Sequence, residues 1–244
     1  EEVVLTGIHV ASYGKDLREE NVTLLDVIKK INEIDGIKRI RTSSVEPILF
    51  TDEFVNEVSK MEKVMPHYHL SLQSGCDETL KRMNRRYTTE EYKAIVDKLR
   101  EAIPNVAITT DVIVGFPGET EEEFNETYNF LKDIELAQMH IFKYSPRKGT
   151  KAADMENQVS PQIKHERSEK LIQLNKENFE RFASKMIGKE FDVLFEQSVG
   201  ENRYEGLTPN YLKTFVNCDE DICGKILKVK ITEVKDEYVE GILV

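Results

Sequence analysis

The stretch HYHLSLQSG, residues 67–75, decides how the chain is to be read. Successive side chains of a strand point to opposite faces, so His69, Ser71 and Gln73 share one side while Leu70 and Leu72 share the other. If the leucines meet a helix, the polar row faces something wet. Four further runs share this β-rich character: EEVVLTGIH from Glu1, IKRIRTSSV from Ile37, VAITTDVIVGF from Val106 and AQMHIFKYS from Ala137.

Between these runs lie segments of helical period, LLDVIKKINEI, EEYKAIVDKLREAI and EEEFNETYNFLKDI. Thr88 with Glu91 and Thr120 with Glu123 fit the capping box, and Asp77 is the expected N-cap of DETLKRMNRR. Alternating strands and helices imply an α/β fold with a parallel sheet covered by helices. The sheet is either open and doubly wound or a barrel, with the site at the C-terminal strand ends in both cases. Polar residues in mid-strand favour a barrel or half-barrel holding a ligand. Ser71, Gln73, Asp111, and Ser43 or Glu46 are the candidates to line it. A single buried polar side chain is ordinary; three strands contributing them together are less easily set aside.

The texture changes at Ser160. The run from Ser160 reads as one long helix, with Ser160 as N-cap, Pro161 at its first position and Gly188 as its stop. Beyond it come only short alternating runs, KEFDVLFEQ, YEGLTPN, LKTFVN, KILKVKITEV and EYVEGILV, which suggest a small antiparallel β-barrel of the kind that binds RNA or makes contacts. The expected organisation is an α/β core over residues 1–159, a linker helix over 160–187 and a β-barrel over 188–244.

The 244 residues suffice for these parts, and no apolar run approaches the roughly 20 residues that span a bilayer. No signal peptide precedes the first strand, so a cytoplasmic protein without a membrane partner is expected. Cys76, Cys218 and Cys223 lack metal-ligand spacing and read as free thiols. A net charge of −11 is unfavourable for nucleic acid, yet local basic patches exist at KRMNRR (81–86) and PRKGTK (146–151).

IVGFPGET, residues 113–120, joins a strand to a capped helix through Gly115 and Gly118, where backbone can approach a ligand closely. A Gly-Pro-Gly turn is, however, often merely a turn. LTGIH places Gly7 at another strand end. The sequence contains no Walker loop, nucleophile elbow or HExxH. Its five histidines are scattered, and a strand histidine such as His69 or His140 is more often a packing residue than a ligand. The residues alone support a barrel with a polar interior and a small β-barrel behind it, without naming a reaction.

Taken together, LTGIH with YGKD, LSLQSGCDETLKRMNRRYT, TDVIVGFPGETEEEF and FKYSPRKGT resemble the radical S-adenosylmethionine methylthiotransferases along the whole chain. The closest likeness is to the branch that acts on N6-threonylcarbamoyladenosine at position 37 of tRNA, with the isopentenyladenosine and ribosomal-protein branches and a non-catalytic RNA-binding module as alternatives. The resemblance implies a partial radical-SAM (β/α) barrel lacking its first unit, a linker helix and a TRAM-like barrel. It implies S-adenosylmethionine cleaved at a four-iron four-sulfur cluster to a 5′-deoxyadenosyl radical, hydrogen abstraction from adenine C2, and methylthio transfer supported by a second such cluster.

By motif position, Thr6 and Gly7 would lie near the methionyl amine, and Glu46, Gln73 and Ser74 near the methionyl or ribose part. Val114, Gly115, Phe116, Phe142 and Tyr144 would flank the adenine. Arg82, Arg85, Arg86, Arg147 and Lys148 would contact phosphates of the tRNA anticodon loop. The family's C-x-x-x-C-x-x-C cluster motif is expected upstream of Glu1, and the three cysteines cannot replace it. The chain by itself is therefore expected to hold no cluster and to be an inactive fragment of a transferase.

Overall fold

A computed structural model describes residues 1–16 and 22–244. The chain forms two compact units, Glu1–Leu174 and Asn175–Val244. This division falls inside the long helix rather than at either end of it.

The first unit is built on five parallel strands, β1 (Glu2–Leu5), β2 (Arg39–Thr42), β3 (His67–His69), β4 (Ala107–Val114) and β5 (Gln138–Lys143). β1 pairs with β2, and β3, β4 and β5 pair in sequence order. Parallel bridges from Ile40 to Val64 and from Val45 to Leu70 join the two groups. Strand order thus follows chain order without reversal. A doubly wound sheet reverses order at its switch point, so the winding is of the barrel kind.

Helices α1 (Leu24–Asn32), α2 (Asp52–Val58), α3 (Asp77–Arg82), α4 (Thr89–Ala102) and α5 (Glu121–Ile134) connect the strands. Thr88 and Thr120 form the expected capping boxes, and Thr23 with Asp26 forms another that heads α1. The N-cap of α3 is Cys76 rather than Asp77, whose carboxylate instead accepts from the backbone N–H of Thr89 at 2.8 Å. Asp77 therefore ties α3 to the start of α4. α2 carries no long apolar period; its seven residues are held by the Thr51 cap and by burial of Phe54, Val55 and Val58.

Tyr68, Leu70 and Leu72 are buried in one core with Ile108, Val112 and Val114 of β4 and with Tyr92, Leu99, Phe124 and Leu131 from the helices. At about 1.5–3 kcal/mol per buried side chain, this layer is what holds the sheet. Helices cover this face, and the alternate face of the strands is the inner one.

Helix α6 (Pro161–Ser184) begins with Ser160, whose hydroxyl accepts from the Ile163 N–H at 3.3 Å. It ends four residues before Gly188, which adopts φ +80°. In the second unit, β6 (Glu190–Gly200), β7 (Arg203–Leu207), β8 (Lys213–Asn217), β9 (Ile226–Val234) and β10 (Val239–Leu243) close a barrel in the order β10–β8–β7–β6–β9. The barrel is not wholly antiparallel: β10 runs parallel to β8. The chain crosses the barrel from β8 to β9, which lies antiparallel to β6, and β10 then folds back antiparallel on β9 into the gap beside β8, which gives it the direction of β8. Phe195, Val229, Ile231 and Val239 fill the interior beside Phe179 and Ala183 of α6.

Candidate functional site

The inner face is set by strand register. His69 lies opposite Thr109, Asp111 opposite His140, and Ile113 opposite Phe142, so these side chains share one surface. At its N-terminal end Glu2 approaches Arg41 at 3.1 Å and Arg39 at 3.6 Å, with both guanidinium groups buried. His67 is buried above them, and burial, helped by the Arg41 charge, pushes its imidazole down to about 3. In mid-sheet, Thr109 Oγ1 lies 3.2 Å from His67 Nε2 and 3.0 Å from His69 Nδ1. His69 Nε2 is 3.4 Å from Asp111 Oδ2, and the His69 and His140 rings stack with centroids 5.6 Å apart.

At the C-terminal strand ends the backbone is unusual. Gln73 adopts φ +73°, rare for a residue with a side chain, and its N–H and C=O bond to Asp111 and Ile113 of β4. Gly115 follows β4 at φ +72°. Its N–H donates to Glu119 Oε1 at 2.9 Å, and Arg167 of α6 donates to the same oxygen at 2.5 Å. Burial pushes the Glu119 carboxyl up, against the pull of the Gly115 N–H and Arg167. The loop Gly115–Glu119 is thereby fixed by a buried ion pair. Phe116 packs edge-on to Tyr144 at 5.3 Å, and the Lys164 ammonium stands 5.0 Å over the Tyr144 ring while donating to the Tyr144 carbonyl.

The sequence-predicted ligand residues divide by position. Gly115, Phe116 and Tyr144 come together, and Phe142 stands on β5 with half its surface exposed. Thr6 and Gly7 are exposed just beyond β1, and Glu46 is half-exposed. Gln73 is buried. Ser74 turns to the helix side, where its hydroxyl is 3.1 Å from that of Thr127 on α5, and Val114 is buried in the helix-side core. Of the basic residues, Arg82 grips Glu123 through two hydrogen bonds at 2.8 and 2.5 Å and donates to Thr79. Arg85 is half-exposed, while Arg86, Arg147 and Lys148 are exposed.

Sequence reasoning set His69 and His140 aside singly and did not single out Glu119, Lys164 or Arg167. The histidines come together only through the β3–β4–β5 register. Glu119 was visible beside its glycine turn, whereas nothing in a helical run announces which lysine and arginine will reach back to a loop.

Among the buried polar atoms without hydrogen-bond partners, Ser43 Oγ, His69 Nε2 and the Tyr144 hydroxyl belong to the inner face. Buried polar groups are normally satisfied by protein or ordered water, so these atoms are available to water or to a ligand. With the open backbone at Gly7 and the aromatic pair Phe116–Tyr144, they suit a polar ligand carrying a flat ring, as S-adenosylmethionine does. Cys76 is buried, with burial pushing its thiol up, while Cys218 is half-buried and Cys223 exposed.

The radical SAM superfamily model matches residues 2–131, more than half of the chain. The chain belongs to the radical SAM superfamily. A TRAM domain model matches residues 184–244, the closed barrel and the end of α6. Among curated relatives, threonylcarbamoyladenosine tRNA methylthiotransferase MtaB of Bacillus subtilis is 43% identical over 98% of this chain and 54% of its own length. The tRNA-2-methylthio-N(6)-dimethylallyladenosine synthase of Caldicellulosiruptor saccharolyticus is 42% identical over 98% of this chain and 51% of its own. The chain thus spans about half the length of these relatives. Of solved structures, coproporphyrinogen III oxidase (HemN) from Escherichia coli covers 72% of this chain and 40% of its own at TM-score 0.57 and 17% identity, a likeness of fold. Among the described residues no helix is long and apolar enough to cross a membrane.

Proposed function

We propose that this chain is part of a radical SAM transferase that adds a methylthio group to C2 of N6-threonylcarbamoyladenosine beside the tRNA anticodon. The observation that carries this reading is the likeness over 98% of the chain to a relative named for that nucleoside. The unpartnered polar atoms of the inner face support a small polar ligand there. Thr6, Gly7, Glu46 and Gln73 would serve its amino-acid and ribose ends, and Gly115, Phe116, Phe142 and Tyr144 its adenine. S-adenosylmethionine, when bound, supplies the radical that opens the adenine C2–H bond. The chain's own contribution is to orient it: Glu119 and Arg167 fix the Gly115 loop, and Phe116 with Tyr144 shields the ring from water. The cluster ligands would come from other segments of the parent enzyme.

Arg85, Arg86, Arg147 and Lys148 would contact tRNA phosphates, with Arg82 committed to Glu123. An isopentenyladenosine substrate is the second reading, favoured by relatives named for N(6)-dimethylallyladenosine at 42% and 44% identity. Nucleoside mass spectrometry of tRNA from cells lacking the parent gene separates the two. Loss of methylthio-threonylcarbamoyladenosine with accumulation of its precursor is expected. Loss of the methylthiolated isopentenyl nucleoside instead would move the assignment to the second branch, and persistence of both would overturn tRNA methylthiolation.

A further inference from the structure

We propose that His69, Asp111 and His140 form a binding site for one divalent first-row transition cation on the inner face of the sheet. One ligand atom from each lies within 4.8 Å of the others, and the three residues come from three adjacent strands. Two imidazoles and a carboxylate are the donor set that zinc and ferrous ions take from proteins. The site shares the inner face with the proposed S-adenosylmethionine pocket, but its three ligands are none of the residues assigned there to S-adenosylmethionine or tRNA.

Geometry at His69 carries the argument. Thr109 Oγ1 sits 3.0 Å from Nδ1, where it can accept that ring's N–H while donating its own proton to His67 Nε2. When Nδ1–H donates to Thr109 in this way, the Nε2 lone pair faces outward and the ring can ligate a metal through Nε2. Nε2 is buried, and its nearest polar neighbour is Asp111 Oδ2 at 3.4 Å. In this tautomer a lone pair and a carboxylate oxygen confront each other, and a cation between them removes the conflict.

The spacing is also right. Bonds of about 2.0–2.1 Å to a tetrahedral ion place ligand atoms about 3.3–3.4 Å apart, and the His69–Asp111 distance is 3.4 Å. His140 lies on the exposed strand β5, so its ring has room to close the remaining gap. Three protein ligands leave one position open to water or to an oxygen or nitrogen of whatever occupies the inner face.

The test is a titration of the chelator-treated 244-residue chain with Co2+, followed by visible absorption, with Zn2+ as competitor. Expected are d–d bands that saturate at one equivalent, carry no thiolate charge-transfer band, and vanish when Zn2+ is added. His140→Ala and His69→Ala should abolish the signal while far-UV circular dichroism stays native. Thr109→Ala, which keeps all three ligands, should weaken binding by about 10–100-fold. No saturable binding by the native chain, or bands that survive in the two histidine variants or show thiolate charge transfer, would overturn the site.

Discussion

Replacing Gly115 by Ala tests how the loop at the end of β4 is held. Gly115 sits at φ +72°, and an added Cβ would come within 2.3 Å of Lys164 Cγ and 3.1 Å of its Cδ and Cε. Two costs arise from different causes. The left-handed backbone penalises any side chain by about 1–2 kcal/mol, and crowding a filled space adds about 1–3 kcal/mol. Gly115→Ala should therefore destabilise by roughly 2–5 kcal/mol. Lys164→Ala removes the obstructing stem and forfeits the ammonium bond to the Tyr144 carbonyl, at 2.9 Å, worth about 1 kcal/mol net. In the double variant the crowding disappears and the backbone cost remains. Urea unfolding of the four chains should show the double variant more stable than the sum of the singles by about 1–3 kcal/mol, the crowding part alone. Additivity within about 0.5 kcal/mol would refute the reasoning, because it would mean that Lys164 swings aside freely.

The Glu123 carboxyl is held below its ordinary 4.5 chiefly by the Arg82 hydrogen bonds, so its contribution is present at neutral pH and lost as pH falls from 4.5 through the folded value. The Tm difference between the native chain and Glu123→Gln should accordingly shrink to nothing in acid, and a difference that persists there would contradict the assignment. Thr120→Ala deprives the Glu123 N–H of its cap, 3.2 Å away, and should cost about 1 kcal/mol by thermal unfolding, with Thr120→Ser near neutral. Phe195→Ala empties the middle of the second barrel and should cost about 3–5 kcal/mol in urea; a loss below about 1 kcal/mol would show that the barrel interior collapses around the gap. If Arg147 and Lys148 each meet a phosphate, replacing both by Ala should lower the slope of log affinity for tRNA against log salt by about 2, leaving sequence preference unchanged.

The sequence by itself determined what depends on neighbours along the chain. Alternation in HYHLSLQ put Leu70 and Leu72 on one side and His69 on the other, because strand side chains have a period of two whatever lies around them. The caps at Thr88, Thr120 and Ser160 were equally legible, since each bond spans three residues. Asp77 was misread because Cys76 already occupied the cap position and Thr89, twelve residues on, offered a donor. Tertiary structure alone decided the rest. Whether the sheet reversed its order, whether β10 met β8, and whether Arg167 reached Glu119 across 48 residues depend on packing between distant segments, which no local period encodes. The same holds for His69, Asp111 and His140: each is an ordinary strand residue in sequence, and only the parallel register of three strands makes them neighbours.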